Sequence, residues 1–409
     1  MKILVLTQYF WPENFRINDL IAGLAQKGHE ITVVTGIPSY PGGRYFDGYG
    51  LLKNSRQTYH GVKILRLPVI PRGKGSKLRI ILNYLSFMVS AFILTPFLYR
   101  EKVDIIFFSL SPVAEGIPAV ALKILKKAPL IFWIQDLWPE SLSAGKMFTN
   151  PFLHSIIRKI MRLIYASCDS ILVQSRSFIS FITRMGIQNE KISYFPNFAE
   201  DFYKPMDLNT LTAERAALPA GFIVMFAGNI GGSQDFPTII SAAEKLKDHP
   251  DIHWVIMGDG RMRQWAENEI SARNLSRNFL FLGSHPAEEM PRYFALADVL
   301  LVTLRNEEIF KLTVPSKVQS YLACAKPLIT SLAGEGARII EESRSGFSCA
   351  PEDPSKLAEL VLKMYHIEAQ ERLAMGLNGR KYYENNFSRE KLLNQFDNII
   401  KGIKPKCGS

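Results

Sequence analysis

The residues best suited to chemistry lie in the stretch Leu312–Pro327, which reads LTVPSKVQSYLACAKP. Pro315 and Ser316 are typical of the start of a helix, so Lys317 falls in its first turn. Free backbone N–H groups and the positive end of the helix dipole attract anions, and a lysine there completes a site fitted to a diphosphate. The alternative is an ordinary capped helix with a solvated lysine. Because a cation in the first turn opposes the dipole, the sequence favours a binding role for Lys317.

Two glycine-containing turns follow predicted strands in the same half of the chain. Ala227–Gly232 reads AGNIGG and Met257–Gly260 reads MGDG. Glycines in such turns let a phosphate approach the backbone, although those of the second turn could instead line a base or simply form the turn. The first turn is neither a dinucleotide-binding fingerprint nor a Walker loop. The residues predicted to contact a ligand here are Gly228, Asn229, Gly231, Gly258 and Gly260.

A third group of candidates lies in the first half of the chain. In Ile134–Ser141 (IQDLWPES), Asp136 falls at the end of a predicted strand, where its carboxylate could accept a proton from a hydroxyl group. Alternatively, Asp136 caps the next turn. Trp138 could stack on a sugar ring or lie in the core, and Arg16, near a helix start, could bind a phosphate or be a surface charge. Asp136 is the predicted catalytic residue; the candidates for contacts with a diphosphate or an acceptor are Arg16, Trp138 and Glu140.

The chain has no obvious acidic clamp for a metal ion, because the sequence Asp-x-Asp does not occur. We therefore expect chemistry that needs no metal and no cofactor. The charge of a leaving diphosphate would then be neutralised by helix N-termini and basic side chains.

The pattern of apolar residues predicts two successive α/β domains. Lys2–Thr7 (KILVLT) and Glu30–Thr35 (EITVVT) are predicted parallel strands joined by a helix at Arg16–Lys27, which makes a βαβ unit. Strands and helices alternate as far as Lys191–Tyr194, and the pattern begins again at Phe222–Phe226. The predicted fold class is α/β, with two Rossmann-like domains that face each other across a cleft at the carboxyl ends of their strands.

The proline-containing stretch Phe195–Met206 interrupts this pattern and marks the boundary between the domains. The predicted division is residues 1–197, residues 198–385, and a closing segment at 386–409. A helix at Glu390–Ile403 is predicted to pack back on the first domain.

The positive charge is concentrated in the first half of the chain. Residues 1–197 carry 24 Lys and Arg against 11 Asp and Glu, a net charge of +13, whereas the remainder has a net charge of −2. A domain with this charge is suited to bind nucleic acid, anionic lipid or a phosphate-bearing substrate. Alternatively, the charge only makes a soluble basic surface. No stretch interleaves aromatic and basic residues as a stacking platform does, so we expect no nucleic acid partner. The four cysteines and the N-terminal sequence favour a reducing, cytoplasmic compartment.

Ile80–Tyr99 (IILNYLSFMVSAFILTPFLY) is about as long as a bilayer-spanning helix and is flanked by basic residues. Three alternatives remain: a core helix, a helix lying in a membrane interface, or a true span. A span would interrupt a βαβ series whose strands lie on both sides of it. A second basic helix with an apolar stripe is predicted at Phe152–Ala166. Together these features predict reversible contact with an anionic membrane, on the inner face of the cell membrane.

The motifs together resemble a known family. The stretches ILVLTQYFWPENFRINDL, IQDLWPES, FAGNIGGSQDF, VIMGDG and VPSKVQSYLACAKPLI are similar to those of family-4, group 1, glycosyltransferases of the GT-B fold. Within that class the chain resembles the bacterial O-antigen and capsule branch, including N-acetyl-L-fucosamine transferases. The resemblance implies a donor diphosphate near Gly228–Gly231 and the Ser316–Lys317 helix start. It implies that residues 198–385 bind the nucleotide sugar, and that residues 1–197 supply acceptor and catalytic groups, including the loop of Asp136.

The sequence departs from the family pattern at three places, one of which is the first loop, where the paired glycines common in the wider family are absent. The family has two glutamates eight positions apart, and Leu312 and Ser320 stand at those positions here. Gln319 and Glu308 are therefore the candidates for a ribose contact. The usual Arg and Lys of the glycine-turn region are replaced by Asn229 and Gln234, for which Lys317 is the proposed substitute.

The resemblance implies a transferase that moves a sugar, such as N-acetyl-L-fucosamine or a related amino sugar, from a UDP-type donor. The expected acceptor is a polyprenyl-diphosphate-linked saccharide in O-antigen, capsule or exopolysaccharide assembly. The alternative enzyme is a nucleotide-sugar epimerase of the same two-domain architecture. A non-enzymatic membrane or nucleic acid binding module fits the basic half but not the phosphate-fitted turns.

Overall fold

A computed structural model describes residues 1–51, 53–144 and 150–403. The chain forms two compact units, one of Met1–Pro196 with Leu392–Ser409 and one of Asn197–Lys391. Residues 386–391, predicted to begin the closing segment, belong to the second unit. Cys168, Cys324 and Cys349 are buried free thiols, as predicted for the last two, and Cys407 lies outside the described residues.

The first unit is a sheet with helices on its faces. Its strands are β1 (Lys2–Leu6), β2 (Glu30–Gly36), β3 (Arg56–Tyr59), β4 (Val62–Leu67), β5 (Ile105–Ser109), β6 (Leu130–Ile134), β7 (Ser170–Val173) and β8 (Ile192–Tyr194). Its helices are α1 (Arg16–Gln26), α2 (Lys77–Leu98), α3 (Pro112–Lys126), α4 (Glu140–Ala144), α5 (Pro151–Ser167) and α6 (Arg176–Arg184).

The strands of this unit are ordered β3-β4-β2-β1-β5-β6-β7-β8. All the pairs are parallel except that of β3 with β4. Strands β5 and β6 are buried along their whole length, as expected where helices cover both faces of a parallel sheet. The direction of winding reverses between β1 and β5, and such a reversal opens a crevice at the carboxyl ends of the strands.

Strand β3 was not predicted. It is a four-residue antiparallel edge strand, RQTY, in which exposed and half-buried residues alternate. So short and polar a segment carries no apolar periodicity from which to read a strand.

Helix α2 contains most of the long apolar segment. Its buried residues are Ile80, Asn83, Phe87, Ala91 and Thr95, which recur every three or four positions and form one stripe. This stripe packs against α3 and the sheet, and most of the remaining surface of the helix is exposed. Among the described residues it is the helix long and apolar enough to cross a membrane, by length and composition only.

The second unit is also an α/β sandwich. Its strands are β9 (Phe222–Ala227), β10 (Ile252–Met257), β11 (Phe279–Gly283), β12 (Val299–Thr303), β13 (Leu328–Ser331) and β14 (Gly346–Cys349). Its helices are α7 (Thr212–Ala216), α8 (Phe236–Lys245), α9 (Arg263–Ala272), α10 (Met290–Leu296), α11 (Glu308–Leu312), α12 (Ser316–Ala323), α13 (Glu335–Ser343), α14 (Pro354–His366) and α15 (Ala369–Asn386).

These strands form a parallel sheet in the order β11-β10-β9-β12-β13-β14. Strand β9 is apolar at every position because it feeds two cores. Phe222, Val224 and Phe226 pack into one layer, and Ile223 and Met225 pack into the other. The winding reverses between β9 and β12, which places a crevice at the carboxyl end of β9.

The last helix, α16 (Arg389–Gly402), packs on the first unit from Leu392 onward, as predicted. Phe396 is fully buried, with its ring 5.0 Å from Phe107 and 5.6 Å from Phe195 between centroids. His29 Nε2 lies 2.9 Å from Asp397 Oδ1. The apolar contacts of Phe396 and this polar pair hold the chain's end against the sheet.

Candidate functional site

The two glycine turns lie side by side at the carboxyl ends of β9 and β10. The Gly228 amide donates to Met257 O at 2.9 Å, and the Ile230 amide donates to Asp259 O at 2.9 Å. Gly258 has φ +126, and a Cβ at this position would collide with the carbonyl of Gly228. The predicted contact residues of both turns are thus brought together, and a side chain at Gly258 would push them apart.

Helix α12 brings Lys317 to this point. Tyr321, one turn further along the same face, accepts from the Ala227 amide at 3.0 Å and donates to Ala227 O at 3.2 Å. These bonds fix the helix to the last residue of β9. The Lys317 Nζ therefore lies 3.2 Å from the position that a Cβ of Gly228 would occupy.

The Lys317 ammonium has no counter-ion among the described residues. Its Nζ donates to Gln234 Oε1 at 2.7 Å and lies 3.9 Å from the centroid of the Phe226 ring. Burial in this setting lowers the pKa of Lys317 to about 7. An anion placed here would gain a cation–phosphate contact and would relieve the energetic penalty of holding the ammonium away from water.

Gln234 is a part of this site that the sequence reasoning missed. It lies in the turn after Gly231, and its carbonyl accepts the Thr303 hydroxyl at 2.5 Å. The Arg305 amide also donates to Ser233 O at 3.1 Å. The end of β12 therefore anchors the loop that carries Gln234, the hydrogen-bond partner of Lys317. The only signal in the sequence is that Gln234 stands where the family usually has a basic residue.

The other residues predicted to bind the donor lie on two neighbouring helices. Ser316 is exposed at the start of α12. Glu308 is exposed at the start of α11, where it accepts from Lys311 Nζ at 2.5 Å. Gln319 is fully buried, and its amide nitrogen, once the amide is assigned in the flipped orientation, donates to the carbonyls of Ser316 and Pro315. This location supports the first turn of α12 instead of facing a ligand, and a ribose contact by Gln319 stays a prediction.

Asp136 lies two residues beyond β6, at the carboxyl edge of the first sheet. Its side chain is exposed, and among the described residues no group hydrogen-bonds to its carboxylate. The alternative that Asp136 caps the next turn is therefore not supported. Trp138 is half-buried with its ring against Tyr84, at 5.6 Å between centroids and an interplanar angle of 81°. Asp136 and Trp138 thus share one edge of the sheet.

The two remaining candidates of the first unit are placed differently. Glu140 begins α4 and accepts from Arg158 Nη2 at 2.6 Å, which neutralises its charge. Arg16 is the first residue of α1 and is half-buried. Contacts of either residue with a diphosphate or an acceptor stay predictions.

Within the described ranges, no group of three or more His, Cys, Asp or Glu side chains is placed to hold a metal ion. His249 and His253, four residues apart in the sequence, belong to no such group.

Comparison with known proteins fits this geometry. Residues 213–382 match the family model for glycosyl transferases group 1, and residues 14–197 match a glycosyl transferase 4-like domain. The chain belongs to the group 1 glycosyltransferases. The enzyme is 25% identical over 98% of its length to the whole of WcaI from Escherichia coli K12, named for colanic acid biosynthesis. It is 26% identical to WbjE from Pseudomonas aeruginosa, named as a glycosyltransferase, over 67% of this chain and 68% of that protein.

Comparison with solved structures agrees with the family assignment. HepE from Anabaena, solved in complex with UDP, superimposes with a TM-score of 0.73 over 98% of this chain and all of that one, at 16% identity. Sucrose-phosphate synthase from Thermosynechococcus elongatus gives a TM-score of 0.75 over 98% of each chain, at 15% identity. The predicted GT-B fold and family are confirmed.

Proposed function

We propose that the second unit holds a UDP-type sugar donor and that the enzyme transfers the sugar to a lipid-linked saccharide. The observation that carries this proposal is the uncompensated ammonium of Lys317 against the Gly228 turn. HepE is solved with UDP, which supports a nucleotide-sugar donor for an enzyme of the same fold.

In this proposal the diphosphate lies at the crevice of the second sheet, between the ends of β9 and β12. Gly228–Gly231 leave the backbone open to its oxygens, and Lys317 neutralises charge that develops on the leaving group. Because basic and backbone groups supply this stabilisation, transfer is expected to proceed without a metal ion. Ser316, next to Lys317 at the start of α12, and Glu308, at the start of α11, are proposed as further donor contacts.

Asp136 is proposed as the group that accepts the proton of the acceptor hydroxyl or orients the acceptor. Its carboxylate is exposed and not hydrogen-bonded to the described residues, so it is available to a substrate. The neighbouring Trp138 offers an aromatic face on which a sugar ring can stack.

The named relatives suggest the pathway. WcaI is named for colanic acid biosynthesis, and a further neighbour of the same fold, WaaG, is described as a glycosyltransferase involved in lipopolysaccharide biosynthesis. We therefore propose a role in bacterial surface polysaccharide assembly, as for O-antigen, capsule or exopolysaccharide. The proposed acceptor is a polyprenyl-diphosphate-linked saccharide, and the donor sugar is N-acetyl-L-fucosamine or a related amino sugar.

The donor site is tested by assaying transfer from a panel of UDP-sugars, with Lys317→Ala against Lys245→Ala. Lys245 is a matched control because it is an exposed lysine of the same unit, the last residue of α8. We expect Lys317→Ala to abolish transfer while the protein stays folded, and Lys245→Ala to retain it. Unchanged turnover in Lys317→Ala would remove this residue from the mechanism. Incubation with donor alone tests the epimerase alternative, because only an epimerase would release a new sugar nucleotide.

A membrane location is proposed from the outer surface of α2. Its exposed apolar residues recur at helical spacing and form one face, here named the apolar face: Leu85, Val89, Phe92, Ile93 and Phe97. The helix contains no acidic residue. Basic residues precede it at Lys74, lie in its first turn at Lys77 and Arg79, and follow it at Arg100 and Lys102. An anionic bilayer complements both the apolar face and these charges, so the enzyme is proposed to be peripheral on the cytoplasmic surface of the membrane.

Vesicle co-sedimentation tests this location, with phosphatidylethanolamine vesicles that contain or lack phosphatidylglycerol. Val89 and Phe92 are each about half exposed, at 50% and 51%. Changing both to Glu should weaken binding by about 2 kcal/mol, roughly thirtyfold. The matched control changes Leu373 and Leu377 to Glu, since these are comparably exposed on α15. Equal binding by the two double variants would exclude the apolar face as the membrane contact.

A further inference from the structure

Arg72 occupies an aromatic cage in the segment between β4 and α2. Its Cζ lies 5.1 Å from the ring centroid of Tyr9, 5.3 Å from that of Tyr40 and 5.2 Å from that of Tyr84. Its Nε donates to Asn83 Oδ1 at 3.3 Å and its Nη2 donates to the Tyr84 hydroxyl at 2.9 Å. Four side chains from three segments therefore hold one guanidinium in place.

The charge of Arg72 is not neutralised by these neighbours. No carboxylate forms an ion pair with it in the part of the chain that the structure describes. Burial raises the pKa of the Tyr9 and Tyr84 phenols, so both are neutral at physiological pH.

The buried carboxylates at this edge of the sheet accept hydrogen bonds from backbone amides and do not pair with Arg72. Glu13 accepts from the amides of Ser39 and Tyr40, at 2.8 and 2.7 Å. Glu115 accepts from the Gln8 amide at 2.8 Å and from the Ser109 amide at 3.1 Å.

The guanidinium of Arg72 has N–H donors that these two hydrogen bonds leave unused. It has five N–H groups, and the two bonds to Asn83 and Tyr84 use only part of them. The Nη1 group hydrogen-bonds to no described residue, and Arg72 is only half-buried, so this edge of the fork is open. A fixed, open and uncompensated guanidinium is well suited to a phosphate, which it can bind through two parallel hydrogen bonds.

The cage stands where a ligand is expected. Tyr9, Tyr40 and Arg72 follow β1, β2 and β4, so they lie at the carboxyl edge of the first sheet beside the β1–β5 reversal. Tyr84 contacts Trp138, two residues beyond Asp136. The cage therefore lies beside the proposed acceptor group.

The same helix connects the cage to the apolar face. Asn83 and Tyr84 turn inward to the cage, whereas Leu85, the next residue, is 46% exposed on the apolar face. A lipid that lies along the apolar face would pass beside Tyr84, whose hydroxyl accepts from Arg72.

We propose that Arg72 and its tyrosine cage bind a phosphate group of the lipid-linked acceptor. This inference rests on the proposed function, because it identifies how the first unit recognises that acceptor. Arg72 fixes the phosphate end, and the saccharide extends toward Trp138 and Asp136.

The test is isothermal titration calorimetry with farnesyl diphosphate, a short prenyl diphosphate, and with inorganic pyrophosphate. Wild type, Arg72→Gln, Arg72→Lys and the control Arg56→Gln, an exposed residue of β3 in the same unit, are compared. Arg72→Gln should weaken farnesyl diphosphate binding roughly tenfold or more, Arg72→Lys should weaken it less, and Arg56→Gln should match wild type. If Arg72→Gln does not fold, the affinity lost in Arg72→Lys relative to Arg56→Gln decides whether Arg72 binds the phosphate.

Lys317→Ala separates this inference from the proposed donor site. Farnesyl diphosphate should still bind to Lys317→Ala, and UDP should still bind to Arg72→Gln. The inference is overturned if wild type does not bind farnesyl diphosphate, if Arg72 variants bind it unchanged, or if only Lys317→Ala loses it. Equal affinities for pyrophosphate and farnesyl diphosphate would overturn the lipid assignment, since the prenyl chain would then contribute nothing. Failure of UDP to bind would instead reject the donor proposal.

Discussion

Binding of UDP is expected to add a proton to Lys317. The pKa of this lysine is lowered to about 7 from an ordinary value of 10.5, because the ammonium is buried without a counter-ion. At pH 8 only about one molecule in ten therefore carries the charge before UDP binds. A diphosphate beside Nζ would raise the pKa again, so the complex would take up about 0.9 proton.

The effect of this proton uptake on the affinity for UDP follows from the lowered pKa of Lys317. Charging Lys317 at pH 8 costs about 1.4 kcal/mol, which weakens UDP binding roughly tenfold relative to pH values well below 7. As the pH rises above 7 the affinity should fall by up to about tenfold per unit, until the pKa of the complex is reached. The terminal phosphate of UDP, with a second pKa of about 6, is already ionised at pH 8 and does not mask the effect.

Calorimetry at pH 8 in Tris and in HEPES, which differ in ionisation enthalpy, reports the number of protons taken up. Lys317→Arg is the matched variant, because its guanidinium is already charged and should show no uptake and a flat pH profile. Lys245→Ala should behave as wild type. An uptake below about 0.2 proton in wild type, or equal uptake in Lys317→Arg, would refute the assigned role of Lys317.

Three further predictions concern the fold and the site. Gly258→Ala should abolish UDP binding and lower the melting temperature, because its Cβ would collide with the carbonyl of Gly228, as checked by thermal shift with and without UDP. Phe396→Ala should destabilise the protein by about 3–5 kcal/mol in urea denaturation, because the ring is fully buried; a change below about 1 kcal/mol would show that α16 contributes little. Asp136→Asn should lower kcat for transfer roughly a hundredfold with UDP affinity unchanged, whereas near-normal kcat would exclude it as the base.

The α/β architecture could be predicted from the sequence because buried parallel strands are uninterrupted apolar runs. Lys2–Thr7, Glu30–Thr35 and Phe222–Phe226 were predicted to within one residue of the bounds of β1, β2 and β9. Arg56–Tyr59 and Gly346–Cys349 were not predicted, since polar residues or glycine within a four-residue edge strand leave no periodic signal.

The candidate site was predictable where it depends on local sequence, and less so where it depends on tertiary contacts. A glycine turn after a strand, and Lys317 at a helix start, are visible in short motifs. The partner of Lys317 is Gln234, 83 residues away, and no short motif reports that pairing. The Arg72 cage combines Tyr9, Tyr40 and Tyr84, which approach only once the sheet has formed.

The second unit is proposed to bind the donor diphosphate between the Gly228 turn and the start of α12. A crystal structure of the enzyme with UDP tests it most directly. Phosphate oxygens are expected within hydrogen-bond distance of Lys317 Nζ and of the Asn229 and Gly231 amides, because the Gly228 and Ile230 amides already donate to Met257 O and Asp259 O. UDP bound elsewhere, or bound while Lys317 contacts only Gln234, would contradict the claim.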